Sequence, residues 1–426
     1  MSRNLFTDYG TILTRDEIKK EPTDLEKILD LENEIITQYE SNNNFGKNGL
    51  HHEEAYTLLY ANVQEKIKNI SLTPELLASY ISTRENREEN TKAIIRGMYS
   101  AALLQVTCFA QPDKSIFIDG RGKTFNYLFY HVKNASNVTI QNFKGNYIFG
   151  KAGLDGGYIS YITLNTIEGN EVFSSAGFNG ICKYLTLTDI TGDYILSGAG
   201  SEKGNIEYIE LMNITGYNTL SGIGSQKGTA KHISLNNIEG SYTLVNAGSD
   251  GNVSYLSINN LTGNKTLSNA GNNTGNISHV TLYNITGDHT LKDISSEGNS
   301  THITLTKIKG SNTLEFAGNG KGNINHITLS EITGDLTLSN ASEDRGNIQH
   351  LTLNKINGND FFQNTCRYGG KINPILKEEN FNERQKSILS KIQTIVETIH
   401  TLSFKEQKKA HEQIAKLQEE IFAGET

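Results

Sequence analysis

Gly322-Asn-Ile-Asn-His-Ile-Thr-Leu-Ser-Glu-Ile-Thr-Gly-Asp-Leu-Thr-Leu-Ser-Asn-Ala341 is one copy of a unit that recurs through the middle of the chain. An apolar residue, one variable residue and glycine mark each copy, with the glycine at Gly145, Gly169, Gly192, Gly216, Gly240, Gly263, Gly287, Gly310, Gly334 and Gly358. The steps are 23 or 24 residues throughout. Such a period signals a repeat architecture, in which each unit is too short to bury its apolar face and must stack on its neighbours. Within the unit, Ile327 and Leu329, then Leu336 and Leu338, alternate with polar residues, which predicts two short strands per unit.

Strands of this kind pair in parallel from one unit to the next, each rising ~4.8 Å on the last. The expected fold is mainly β: a right-handed parallel β-helix, or solenoid, of about ten coils and on the order of 45 Å long. The marker glycines are predicted at corners that need positive φ or close approach to the next coil. An asparagine column, Asn205, Asn252, Asn276, Asn299, Asn323 and Asn347, suits bends where amides bond the coils above and below. Of four prolines, Pro22 and Pro74 lie upstream and Pro112 and Pro374 bracket the array, so none interrupts a paired strand. The L-x-x-L-x-L-x-x-N core of leucine-rich repeats is absent, which excludes that alternative.

Ile118-Asp-Gly-Arg-Gly122, followed by Asn137-Val-Thr-Ile-Gln-Asn-Phe-Lys-Gly145, resembles the opening coils of pectin-lyase-like right-handed β-helix proteins, which include polysaccharide lyases, polygalacturonases and phage tailspikes. The resemblance covers roughly residues 116 to 362 and implies the fold. The N-T-D, D-D, G-H-G and R-I-K motifs of polygalacturonases are missing, and a chain without Trp has no W-I-D-H signature of pectate lyases. The even coil length also leaves out their long cleft-building loops, so the family's activity is not implied.

Helical spacing flanks the array. Thr23 to Gln38, Glu53 to Ile70, Thr73-Pro74 to Ser82 and Glu88 to Leu104 are predicted helices, with Thr73-Pro74 as N-cap and first residue. Beyond the array, Phe381 to Leu402 and Phe404 to Ile421 carry Ile388, Ile392, Ile395 and Ile399, then Ile414, Leu417 and Ile421, with Ser403-Phe-Lys-Glu406 as a capping box. The chain therefore divides into a helical region at 1–111, a solenoid at 112–372 and a helical pair at 373–426. The helical ends serve either to cap open solenoid edges or, at the C-terminus, to join a second copy into a homo-oligomer or a coiled coil.

Composition narrows the partners. Lys+Arg 39 against Asp+Glu 47, a formal net charge of −8, supplies no general field toward nucleic acid or anionic membranes. Cys108, Cys182 and Cys366 are far apart and suggest neither a disulfide framework nor a zinc site. No apolar leader follows Met1, and no apolar run suited to spanning a bilayer stands out; the expected location is cytoplasmic. No cofactor is implied.

Strand alternation places a column of rings on the outer face: Tyr161, Tyr184, Tyr208, His232, Tyr255, His279, His302, His326 and His350. A hydroxyl-rich column, Thr163, Thr186, Glu210, Ser234, Ser257, Thr281, Thr304, Thr328 and Thr352, runs beside it. The rings suit three roles: a stacking ladder that stabilises the coils, a platform for a glycan or a partner protein, and, through the four consecutive histidines, a metal site. Carboxylates bear on the enzyme alternative, a polysaccharide lyase or glycoside hydrolase, because glycoside hydrolysis needs two within ~5 to 9.5 Å. The local concentration is Asp288, His289, Asp293 and Glu297. Ice binding by threonine arrays is disfavoured by the bulky rings alongside. The expectation is a non-catalytic binding or structural protein presenting the ring face to a partner protein or glycan.

Overall fold

The structure, a computed structural model, describes residues 22–41 and 52–360 and, beyond them, 362–366, 368, 371–372, 375–377, 383–398 and scattered positions between 402 and 420. Its body is a parallel β-solenoid of about eleven turns. The strands are β1 (Ile116–Thr124), β2 (Asn134–Lys144), β3 (Tyr158–Glu168), β4 (Ile181–Thr191), β5 (Asn205–Thr215), β6 (Thr229–Glu239), β7 (Asn252–Thr262), β8 (Asn276–Thr286), β9 (Asn299–Lys309), β10 (Asn323–Thr333) and β11 (Asn347–Asn357), each paired with the next. Two short strands, β12 (Lys371–Ile372) and β13 (Ile375–Lys377), pair with β11. The turn beyond the expected ten is that of β1, which precedes the first marker glycine.

Register is one to one: Asn323 faces Asn347, His326 faces His350 and Ile327 faces Leu351. Every sequence position therefore becomes a column along the rod. In β5 the fully buried aliphatic residues are Ile206, Ile209, Leu211 and Ile214, at spacings of three, two and three. A strand with strict alternation would not do this. The strand bends twice, the second time at Asn213, whose φ is 56°. Asparagine tolerates this left-handed conformation better than most residues, and the column turns it to use: Asn237 Nδ2 donates to Asn213 Oδ1 (3.0 Å), Asn260 to Asn237 (3.1 Å) and Asn284 to Asn260 (2.7 Å). The predicted asparagine column bonds likewise, Asn276 to Asn252 and Asn299 to Asn276, both at 3.0 Å.

The second predicted strand of each unit is not a strand. In the run after the marker glycine every second residue has positive φ, as at Leu336 (55°), Leu338 (56°) and Asn340 (54°). Ser339 N and Ala341 N close onto the carbonyls three residues back, a chain of overlapping turns with φ > 0 at the third position. Leu338 N bonds to the previous coil and Asn340 N to the next. The side chains consequently do not alternate: Thr337, Leu338 and Ala341 are buried, while Leu336 is only partly so.

The marker glycines answer to both expected causes. Gly240 has φ 152°, and a Cβ there would lie 1.9 Å from the carbonyl oxygen of Gly216. The coils approach so closely at this edge that no side chain fits.

Four helices close the N-terminal end: α1 (Asp24–Ser41), α2 (His52–Lys66), α3 (Pro74–Thr83) and α4 (Thr91–Ala110). Thr73 Oγ1 accepts from Leu76 N, making it the expected N-cap; Asn90 caps α4 through Ala93 N. α3 packs on β1 and α4 on β2, so the apolar core runs unbroken from Ile28 in α1 to Leu351 in β11. Gly97 lets α4 lie against the first turn, since a Cβ there would meet Tyr127 O at 2.3 Å. Glu32, fully buried, bonds Arg84 at 2.5 Å and Arg96 at 2.6 Å and ties α1 to α4 and to the end of α3. By length and composition α4 is apolar enough to cross a membrane, contrary to the sequence expectation, and 67% of its apolar window is buried in this core.

At the other end, α5 (Glu383–Thr398) lies against β7 and β8 with Ile388 buried. The expected helix at Phe404 to Ile421 falls largely outside the described residues, as do Ser403 and most of the expected capping box.

Candidate functional site

The ring column forms as the alternation requires. From Tyr161 to His350 the centroids of successive rings are 4.5 to 6.0 Å apart and the planes within 26° of parallel. One coil of rise is close to stacking distance, so the parallel register alone builds the ladder. Near-parallel imidazoles direct their ring nitrogens side by side instead of toward a common point. Among the described residues no three His, Cys, Asp or Glu side chains are placed to hold a metal ion.

Exposure along this face is uneven, which sequence periodicity does not reveal. Tyr161 is 51% exposed, whereas Tyr208, His232 and His302 are buried. The hydroxyl column points away from the core, yet Ser234, Ser257, Thr281, Thr304, Thr328 and Thr352 are all buried. The C-terminal segment covers part of this row: α5 lies on β7 and β8, and Glu412 is near enough to Tyr208 to raise its phenol pKa, as a lesser cause after burial, Glu210 and Tyr184. The first ring of the ladder, Tyr161 in β3, thus stands open, whereas Tyr208, His232 and His302 farther along are covered.

Burial changes the histidines. It pushes His279 down to about 4, a hydrogen bond with the Ser254 backbone working the other way. His302 is pushed down to about 3 by burial first and by His326 and His279 second, and His326 to about 4 by burial and then His350. Loss of water, more than the mutual repulsion that a row of imidazoles suggests, keeps these rings neutral. Both ring nitrogens of His302 lack a hydrogen-bond partner among the described residues.

The four clustered candidates do not gather as a set. Asp288 is exposed and belongs to a corner column, accepting from Ser311 N at 2.8 Å while its own N–H donates to Asn264 Oδ1. Glu297 is exposed in the following turn. His289 Nδ1 lies 3.5 Å and Lys292 Nζ 3.0 Å from Glu315 Oε2, and Asp293 feels Lys292 and Glu315, although burial is the larger influence and raises its carboxyl pKa. Glu315, one coil above Lys292 in the same column, was legible from the repeat register as a charge pair.

The tertiary fold does join two carboxyls that no spacing suggested. Glu53 of α2 meets Asp155 of the solenoid, and the hydrogen bond between them, followed by burial and by Asp155's charge, raises the Glu53 pKa.

An open groove follows the second strand bend along the rod, with one lobe of about 460 Å³ that includes Lys144, Glu168 and Asp189 and another of about 560 Å³ that includes Asn213, Asn237, Glu239 and Asn260. Glu168 pairs with Lys144 at 2.5 Å and Asp189 accepts from Asn213 at 2.8 Å. No family model, curated protein or solved structure matches the chain.

Proposed function

We propose that this protein is a non-catalytic β-solenoid whose ring-and-hydroxyl face docks protein helices, its own C-terminal segment being the resident occupant. One observation carries the reading: a row of serine and threonine that points out of the core is nonetheless buried from Ser234 to Thr352, and over its β7 and β8 members lies α5, whose Ile388 is buried in turn, as are Ala410 and Leu417 farther along. A sheet face that accepts an apolar helix stripe is a recurrent recognition mode.

A glycan platform or an ice-binding surface would need the same rings and threonines in water. An enzyme would need two free carboxyls at hydrolytic separation, whereas Asp288 is tied to a backbone N–H, Asp189 to an asparagine, and Glu168 and Glu315 to lysines. The likeness of the opening coils to pectin-lyase-like proteins enters this reading as a shared coil architecture. There Asp119 accepts from Arg121 N, Asn142 and Gln141, which is turn-stabilising work.

Hydrogen exchange on the full chain tests the reading. The amides of α5 are expected to exchange slowly, and the double variant Ser257→Arg, Thr281→Arg, which crowds the row where α5 lies, to expose α5 while protection in the buried core of β7 and β8 persists. Exchange of α5 at unprotected rates in the unaltered protein would overturn the proposal.

A further inference from the structure

Four asparagines of the chain, Asn48, Asn179, Asn319 and Asn357, are each followed by glycine. Such a pair can react with itself, because a glycine nitrogen, unshielded by any side chain, can attack the Cγ of the asparagine before it. Asn48 lies outside the described residues, and Asn357 ends β11. The other two differ in how the fold holds them.

At Asn179 both reacting groups are engaged. Gly180 N donates to Gly177 O at 3.0 Å, and Asn179 Nδ2, the nitrogen that would leave, donates to Asp155 Oδ1 at 3.1 Å. At Asn319 neither is held back. Gly320 N donates to Asn319's own Oδ1 at 2.8 Å, so the side chain is folded over the nitrogen that would attack it. Asp344 N, one coil on, donates to the same Oδ1 at 3.0 Å, and Nδ2 has no partner among the described residues. A Cβ on Gly320 would lie 2.9 Å from Ser296 O. The turn therefore favours glycine at the position where a side chain would shield the nitrogen.

We propose that Asn319 is a self-modification site, at which the fold promotes deamidation through a cyclic succinimide. Gly320 N gives its proton to hydroxide and bonds to Cγ. Negative charge develops on Oδ1, where the Asp344 N–H already points. The Cγ–Nδ2 bond breaks, and Nδ2 takes a proton from water and leaves as ammonia. Water then opens the ring. Cleavage between Cγ and Gly320 N gives aspartate, and cleavage between the main-chain carbon of residue 319 and Gly320 N gives isoaspartate. Nothing is oxidised or reduced, and water is the only co-reactant. Aspartate keeps the joint between coils, since a carboxylate accepts from Asp344 N as Asp288 accepts from Ser311 N. Isoaspartate runs the backbone through the former side chain and displaces that acceptor, so the joint loosens as the protein ages.

The test incubates the full chain at mildly alkaline pH, folded and in parallel unfolded in guanidinium, and follows both asparagines by peptide mass spectrometry. In the folded chain Asn319 is expected to convert at least tenfold faster than Asn179 and to yield both aspartate and isoaspartate. In the unfolded chain, where both pairs lose their contacts, the two should convert at similar rates. Asn319→Gln, whose longer side chain closes a ring far more slowly, should keep the parent's melting temperature and lose the earliest acidic form in isoelectric focusing. Equal rates in the folded chain, a faster Asn179, or the same ratio folded and unfolded would overturn the proposal. Aspartate without isoaspartate would also overturn it, because direct hydrolysis of the amide passes through no ring.

Discussion

Ser295 Oγ lies 2.5 Å from Ser300 Oγ inside the core, where both residues are buried. Ser300 fills a place that most other coils give to hydrocarbon, and Ser295 one that they give to glycine, as at Gly271 and Gly318. The second residue of each strand and the residue seven positions past the marker glycine are buried neighbours in every coil, and their sizes offset each other: Ala199 with Ile206, Ala270 with Ile277 and Ala317 with Ile324, but Ile223 with Ala230 and Ile294 with Ser300. Close-packed interiors require this compensation.

The exchange predicts non-additive mutations. Ala230→Ile, made beside Ile223, should overpack the coil at a cost of about 1–3 kcal/mol, and Ile223→Ala alone should leave a cavity costing about 2–5 kcal/mol. The double variant restores the commoner pairing and should be more stable than the two single losses sum to, by at least ~1 kcal/mol. Denaturant midpoints of the four proteins measure the coupling; simple additivity would contradict it.

Gly240→Ala and Gly122→Ala separate the two demands made on glycine. Both sites have positive φ, but a Cβ at Gly240 meets backbone at 1.9 Å whereas nothing lies within 4 Å of one at Gly122. The Gly122 change should cost only the conformational penalty, about 1 kcal/mol. At Gly240 the coils must part, with a loss of about 2–4 kcal/mol. Because coils contact only their neighbours, hydrogen exchange should quicken most in β5 to β7.

Acid should weaken the protein through the covered histidines. Their folded pKa values, about 4, 3 and 4 for His279, His302 and His326, lie below the ~6.5 of an unfolded histidine. The unfolded chain therefore binds more protons below that pH, and stability is lost as pH falls from about 6.5 toward 4. The loss is at most about 2 kcal/mol per imidazole by pH 5. Thermal melts at pH 7.5 and 5 should differ, and should differ less in a His302→Gln, His326→Gln variant. An unchanged melting temperature in the parent would refute the assignment.

Glu32→Gln should loosen the helical cap. It leaves Arg84 and Arg96, with side chains 25% and 18% exposed, without their shared carboxylate, and removing one partner of a buried ion pair costs about 3–5 kcal/mol. The loss should appear as early proteolysis of α1 to α4, with the solenoid strands beyond β3 still protected.

Periodicity alone was enough to establish the solenoid, its strand register, the ring ladder, the marker-glycine corners and the asparagine column, because a one-to-one parallel stack turns each position of the repeat into a line in space. The repeat by itself assigns Gly240 and His326 their neighbours in the coils above and below. Period-two alternation misled at Leu336 and Leu338, since a chain of turns with positive φ at every second residue produces a similar polar-apolar rhythm to a strand.

Which parts of the ladder meet water was decided by the tertiary structure alone. Tyr161 and His302 are equivalent in the repeat, yet one is exposed and the other buried, and what covers the face, as α5 does at β7 and β8, comes from far along the chain and leaves no trace in the period. The Glu53–Asp155 contact has the same origin: a repeat specifies what lies one coil away, as it does for Lys292 and Glu315, while contacts between the rod and its flanking helices depend on how those helices fold back to bury their own apolar faces.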